Sequence, residues 1–195
     1  ETGERYLIKR YLSCDLPTIE IGACIGVVSC IVNRLLDTPN SHLAIEANKR
    51  LLPTLQKNRD QNNCNFTILN AALAYDTEMV HFYISDSALG GSTASITTTE
   101  SIVVPAITIK QSLEHAGFDK VNLICDIEGR EIDIVQREGN ILQRHVAWFF
   151  VEMHPGIVGL NRVISTTEEL NSLGFRLVES FGSVQAYCNE RIINA

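Results

Sequence analysis

Apolar positions recur along this chain in short runs, separated by stretches with helical spacing. Thr18 to Ile21 is a strand-like run that enters a glycine-bearing turn, and Val27 to Leu36 follows as a largely apolar helix ending near Asp37, Thr38 and Pro39. His42 to Ala47 is a second run. The helix after it reaches about Arg59 and sets Leu51, Leu52 and Leu55 on one face, with Pro53 tolerated only in its first turn. Phe66 to Ala74 reads as one third strand. From Glu78 to Pro105 the pattern changes to Met79, Val80, Phe82, Tyr83 and Ile84 followed by a polar Gly/Ser/Thr stretch around Gly90, Gly91 and Ser92, which predicts a hairpin-bearing insertion with a mobile loop.

Helical spacing returns at Thr108, whose hydroxyl can cap a helix while Gln111 caps back, and Gly117 ends it. Val121 to Ile127 is a buried strand. Glu131 to Glu138 is expected as a helix closed by Gly139, Ala147 to Met153 as a strand, and Thr166 to Leu173 as a helix capped by Thr166 with Glu169 and stopped by Gly174. Arg176 to Ser180 and Val184 to Cys188 meet at Phe181, Gly182 and Ser183 like a hairpin. Strands separated by helices imply right-handed crossovers, hence an α/β fold with a mostly parallel sheet, helices on both faces and a closing antiparallel strand. Ligands in such sheets bind beyond the carboxyl ends of the strands, so the residues just after each strand carry the functional information.

Composition narrows the classes. A chain of 195 residues with 45% hydrophobic and 20% charged positions has the core of one globular domain, read here as residues 1–195, and is neither disordered nor fibrous. Its 16 Lys and Arg against 23 Asp and Glu leave a net charge of −7, which lacks the broad basic face of nucleic-acid binders. Neither a membrane-spanning run nor a charged-then-apolar leader is visible. The six cysteines (Cys14, Cys24, Cys30, Cys64, Cys125, Cys188) contain no C-x-x-C pair and are expected to be reduced thiols of a cytoplasmic protein rather than disulfide or zinc ligands.

The strand ends hold the candidate chemistry. After the first strand, Glu20-Ile21-Gly22-Ala23-Cys24-Ile25-Gly26 forms a G-x-x-x-G turn where backbone can approach a ligand at the start of a helix; its spacing differs from the dinucleotide fingerprint G-x-G-x-x-G. Glu46 stands twenty residues past Gly26, where a carboxylate accepts hydrogen bonds from a ribose diol; Asn48 behind it reads as a helix cap. The fourth long strand ends Asp126-Ile127-Glu128-Gly129-Arg130-Glu131, so Asp126 and Glu128 face the site while Glu131 favours the N-terminus of the next helix. The next ends Glu152-Met153-His154-Pro155, placing His154 to orient an acceptor or relay a proton.

Together these residues resemble the FkbM family of S-adenosylmethionine-dependent methyltransferases, over about residues 17 to 155. Its first motif, like D-V-G-A-N-I-G, is similar to Glu20 through Gly26; its D-x-E-G-x-E motif matches Asp126, Glu128, Gly129 and Glu131; its E-x-H-P matches Glu152, His154 and Pro155. Cys24 stands for the usual Asn, Glu20 for Asp, and Ile124 where many members carry Lys. The resemblance implies a three-layer, Rossmann-like, seven-stranded sheet and S-adenosylmethionine as cofactor. It further implies that Gly22, Ala23 and Gly26 pack along the methionine part, Glu20 holds the amino group, Glu46 holds the ribose, and Asn70 and Ala71 lie near the adenine. Asp126, Glu128 and His154 are then the candidate catalytic residues for O-methylation of a hydroxyl on a sugar, glycolipid or secondary metabolite. No metal ligand set is assigned, although those three residues are also compatible with an oxygen-rich Mg²⁺ site. Two other classes stand beside this one: a methyltransferase-like module that binds without catalysis, and a nicotinamide-dependent oxidoreductase, which shares the glycine turn and the ribose acid but leaves D-x-E-G-x-E unexplained.

Overall fold

The structure is a computed structural model that describes residues 2–84, 91–92 and 100–193. Its elements run α1 Thr2–Tyr11, β1 Thr18–Ile21, α2 Val27–Leu35, β2 His42–Ile45, α3 Leu52–Gln61, β3 Thr67–Leu69, β4 Ala72–Leu73, β5 Met79–Ile84, β6 Gly91–Ser92 and β7 Ser101–Ile107. They continue α4 Ile109–Ala116, β8 Val121–Cys125, α5 Glu131–His145, β9 Val146–Glu152, α6 Pro155–Val158, α7 Leu160–Ser172, β10 Phe175–Phe181, β11 Val184–Asn189 and α8 Glu190–Ile193.

Seven strands form the main sheet in the order β10-β11-β9-β8-β1-β2-β3. The pairs from β9 to β3 are parallel, and β11 is antiparallel to both β9 and β10, as the terminal hairpin requires. Alternation along the strands divides the core between two faces. Ile19, Leu43, Leu123, Phe149 and Tyr187 pack with Leu113 of α4, Ile134 and Leu142 of α5 and Leu170 of α7. On the other face, Ile124, Phe150 and Ala186 meet Leu7 and Ile8 of α1, Leu12 just after it, and Val28 and Val32 of α2. This is the three-layer α/β sandwich expected, with β1 and β8 side by side at its centre.

Three boundaries differ from expectation, each for a physical reason. The third strand is split: Asn70 donates its side-chain amide to the carbonyls of Glu46 and Ala47 at 2.7 and 3.0 Å, the chain turns there, and Ala72–Leu73 leaves the main sheet to pair with β7 in a second sheet of order β4-β7-β5-β6. The insertion is the expected hairpin, β5 pairing antiparallel with β7, whereas most of the Gly/Ser/Thr loop lies outside the described residues. Gly139 does not close α5. The helix bends at Glu138 (φ −123°, ψ 22°) and runs on to His145, while a side chain at position 139 would come within 3.0 Å of Leu173; Gly139 is a close-packing residue between α5 and α7. Thr166 lies inside α7 rather than at its start, its hydroxyl bonded back to the Arg162 carbonyl at 2.8 Å, so the helix begins at Leu160. The Thr108 and Gln111 capping box and the Gly117 stop are both present at α4.

Candidate functional site

Beyond the carboxyl ends of β1, β2 and β8 lies a cavity of about 260 Å³. Its floor is the turn after β1. Gly22 there has φ 92°, and a Cβ would stand 1.9 Å from the Asp126 carbonyl oxygen, so the exits of the two central strands touch through a residue that must be glycine. Cys24 also takes a positive φ of 50°, and Gly26 (φ 84°) starts α2, its missing Cβ avoiding Leu55.

Glu46 is 5% exposed, and both of its oxygens are set by backbone donors: Cys24 N–H to Oε2 at 2.7 Å and Asn48 N–H to Oε1 at 2.6 Å. Burial pushes this carboxyl up to about 7, against the pull of those two N–H groups. Asn48 is not the cap of α3. Its side chain accepts from Arg50 N–H at 3.1 Å, and Asn48 itself lines the cavity. Glu20 is buried on β1 with Oε2 3.1 Å from Nε2 of the fully buried His42, and it lines the cavity.

The end of β8 contributes two further carboxylates, Asp126 and Glu128. Glu128 sits at φ 56°, and Gly129 follows at φ 94°, a left-handed pair that turns the chain back toward α5. Glu131 is buried and accepts from Ile127 N–H at 2.9 Å, clamping this turn from the first residue of α5. His154, after β9, stands among three carboxylates: Nδ1 is 3.1 Å from Glu131, off the line of a good hydrogen bond, and Nε2 is 3.4 Å from Asp126 and 3.6 Å from Glu128. Burial opposes its charge, but Glu131, Asp126 and Glu128 together raise its proton affinity. A protonated imidazole here would offset the charge of these carboxylates. Asp126 is raised as well, by burial first and then by Glu4 and Glu152; its Oδ1 is buried with no hydrogen-bond partner among the described residues.

Of the residues singled out from the sequence, Glu20, Gly22, Ala23, Glu46, Ala71, Asp126 and Glu128 line this one cavity, and His154 adjoins it through Asp126. Gly26 and Asn70 do not line it; they shape it from behind, through the start of α2 and the hydrogen bonds to Glu46 and Ala47. Sequence reasoning missed Phe82, Arg130 and, above all, Glu4, which reaches the cavity from α1. A signal for it exists: Glu4 precedes Leu7 and Ile8 by three and four residues, a carboxylate on the apolar stripe of its helix.

Comparison with known proteins follows the geometry. No curated protein sequence matches the chain. Solved structures share the fold at low identity: the precorrin-6y C5,15-methyltransferase of Geobacter metallireducens (TM-score 0.55, 16% identity, 94% of this chain and 85% of that one) and the fibrillarin pre-rRNA processing protein of Methanococcus jannaschii (0.58, 13%, 94% and 72%). The Streptococcus pneumoniae protein Sp1610 in complex with S-adenosyl-L-methionine is similar too (0.55, 11%, 95% and 71%). The family model for the methyltransferase FkbM domain matches residues 20–177. With a match over most of its length, the chain belongs to the FkbM-domain methyltransferases, a family whose methyl donor is S-adenosylmethionine.

Proposed function

We propose that this protein transfers a methyl group from S-adenosylmethionine to a hydroxyl of a small acceptor: a sugar, a glycolipid or another secondary metabolite. The observation that carries the reading is the convergence of the glycine turn, Glu46 and Asp126 on one cavity. Gly22 and Ala23 lie along the methionine part of the donor, with Gly26 fixing the turn behind them. Glu20 takes the amino group, and Glu46 receives the ribose hydroxyls on oxygens already aligned by Cys24 and Asn48 N–H. Ala71 faces the adenine, and Asn70 holds the chain turn beside it.

S-adenosylmethionine supplies an already electrophilic methyl group, so the residues mainly align the acceptor and remove its proton. Asp126 accepts that proton, helped by its raised proton affinity. His154 holds Asp126 and Glu128 in place and offsets their charge. Carboxylates of Glu4, Glu20, Glu46, Asp126 and Glu128 face the single guanidinium of Arg130 among the described lining residues. That balance favours a neutral or cationic acceptor over a nucleic acid. We read residues 1–195 as one domain; no described helix is long and apolar enough to cross a membrane, and buried thiols at Cys30, Cys125 and Cys188 suit the cytoplasm.

Titration calorimetry tests the donor site. Wild-type protein is expected to bind S-adenosylmethionine and S-adenosylhomocysteine, and Glu46→Ala to lose about tenfold or more in both affinities, as two hydrogen bonds to a charged group would give. Folded protein that binds neither sinks the reading, and binding of NADH instead would favour an oxidoreductase. Metabolites that gain the mass of one CH₂ when incubated with enzyme and donor would name the acceptor.

A further inference from the structure

His42 does not line the cavity, yet it touches a residue that does. It opens β2, where parallel pairing sets it across from Thr18 and sets Ala44 across from Glu20, so these four side chains lie on one face of the sheet. Ala44 offers only a methyl group, and the His42 ring reaches past it to bring Nε2 within 3.1 Å of Glu20 Oε2, both side chains being buried. The surroundings are otherwise apolar: the Phe66 ring centre stands 5.2 Å from that of His42, and Ala23, Cys30 and Leu55 pack with Ala44 and Phe66 in one cluster. Nδ1 of His42 is buried with no hydrogen-bond partner among the described residues. An apolar side chain at position 42 would pack in such a place at lower cost, so the imidazole calls for another reason.

We propose that His42 is a positioning residue for the methyl donor, its Nε2–H holding Glu20 as the receptor of the donor's α-ammonium group. This rests on the functional reading above, which gives that group to Glu20. The tautomer is assigned from the hydrogen bonds. A proton on Nδ1 would bury an N–H with no acceptor, whereas a proton on Nε2 points at a carboxylate oxygen and leaves only a bare ring nitrogen without a partner.

The same choice decides the charge. With a proton on Nε2 alone, the imidazole donates to Glu20 and leaves its negative charge for the ligand. A lysine or arginine in that place would fix Glu20 as firmly but would neutralise it against the ammonium it has to receive. Loss of the His42 N–H frees the Glu20 carboxylate to turn, so the penalty falls on ligands that carry the amino group and spares those that lack it. A packing role for His42 makes no such distinction.

Titration calorimetry with S-adenosylhomocysteine, and with its analogue in which hydrogen replaces the α-amino group, separates the two. Wild-type protein is expected to prefer S-adenosylhomocysteine by about tenfold or more, as an ammonium on a buried carboxylate would give. In His42→Leu that preference is expected to fall about fivefold, nearly all of it as weaker binding of S-adenosylhomocysteine. His42→Gln, whose amide N–H can stand near the place of Nε2, should recover most of it. Equal weakening of both ligands in a folded His42→Leu protein, or no change in either, overturns the proposal in favour of packing. Nitrogen NMR of the wild-type imidazole at neutral pH, with the ring assigned through its backbone, should show the Nε2–H tautomer. A proton on Nδ1 overturns the proposal even if neither variant folds. Wild-type protein that binds both ligands alike takes the ammonium away from Glu20 and overturns it too, whereas wild-type protein that binds neither brings down the functional reading itself, a distinct result.

Discussion

Glu46, proposed above to hold the donor's ribose, also bears on stability. Its carboxyl is held near 7 in the folded protein against an ordinary value of 4.5, so the folded state binds a proton more readily than the unfolded one. The stability tied to that proton is fully present below about 4.5 and disappears as pH climbs through about 7, where the charge must be carried in the interior. Glu46→Gln removes the titration. Melting temperatures of variant and wild type are expected to shift in the variant's favour between about pH 5 and about pH 8, by an amount worth up to about 3 kcal/mol. A difference that is constant with pH would refute it. Glu46 was legible because its distance from the glycine turn is fixed by one crossover of helix and strand. Glu4 was not, because nothing within α1 says which neighbours the helix docks on; it is seated on α2, β9 and the terminal hairpin, and that docking places Glu4 at the cavity.

Among the elements, α4 owes its start to two independent devices, one local and one distant. Thr108 and Gln111 cap each other's backbone, and Glu138, from the bend in α5, accepts from Ile109 and Lys110 N–H at 2.8 and 2.9 Å while Tyr75 donates its hydroxyl at 2.9 Å. The distant device should count for more, since it is a buried carboxylate with three donors at a helix N-terminus. Glu138→Ala is expected to cost about 3 kcal/mol in urea denaturation and Thr108→Ala about 1 kcal/mol; a reversal of that order would show the bend in α5 to be unrelated to α4. The capping box was readable because its partners are three residues apart. The Glu138 contact was not, and its absence from the sequence pattern explains the misplaced end of α5: Gly139 resembles a stop signal, while its reason is the close approach of Leu173. Thr166 misled likewise, since the spacing of a capping box says nothing about whether the helix has already begun.

At the scale of the whole molecule, alternation of strands and helices gave the parallel sheet and the antiparallel finish, while the central place of β1 and β8 came only with the strand order. It could not reveal the second sheet, because β4 is two residues long and finds its partner β7 far along the chain. The order β10-β11-β9 also ties integrity to the end of the fold. Removing β11 would leave β9, with Phe149, Phe150 and Val151 buried to 1% exposure or less, as a bare apolar edge. A chain cut after Gly182 is expected to sediment as aggregate where the full chain stays in solution; a soluble, monomeric product would contradict this. The hairpin therefore acts as a timer during synthesis. On the ribosome, β9 emerges well before the strand that seats between it and β10, so the sheet stays open until Val184–Asn189 is clear of the exit tunnel, and a pause in translation after β9 prolongs the one interval in which its edge can be captured by a chaperone or by another nascent chain.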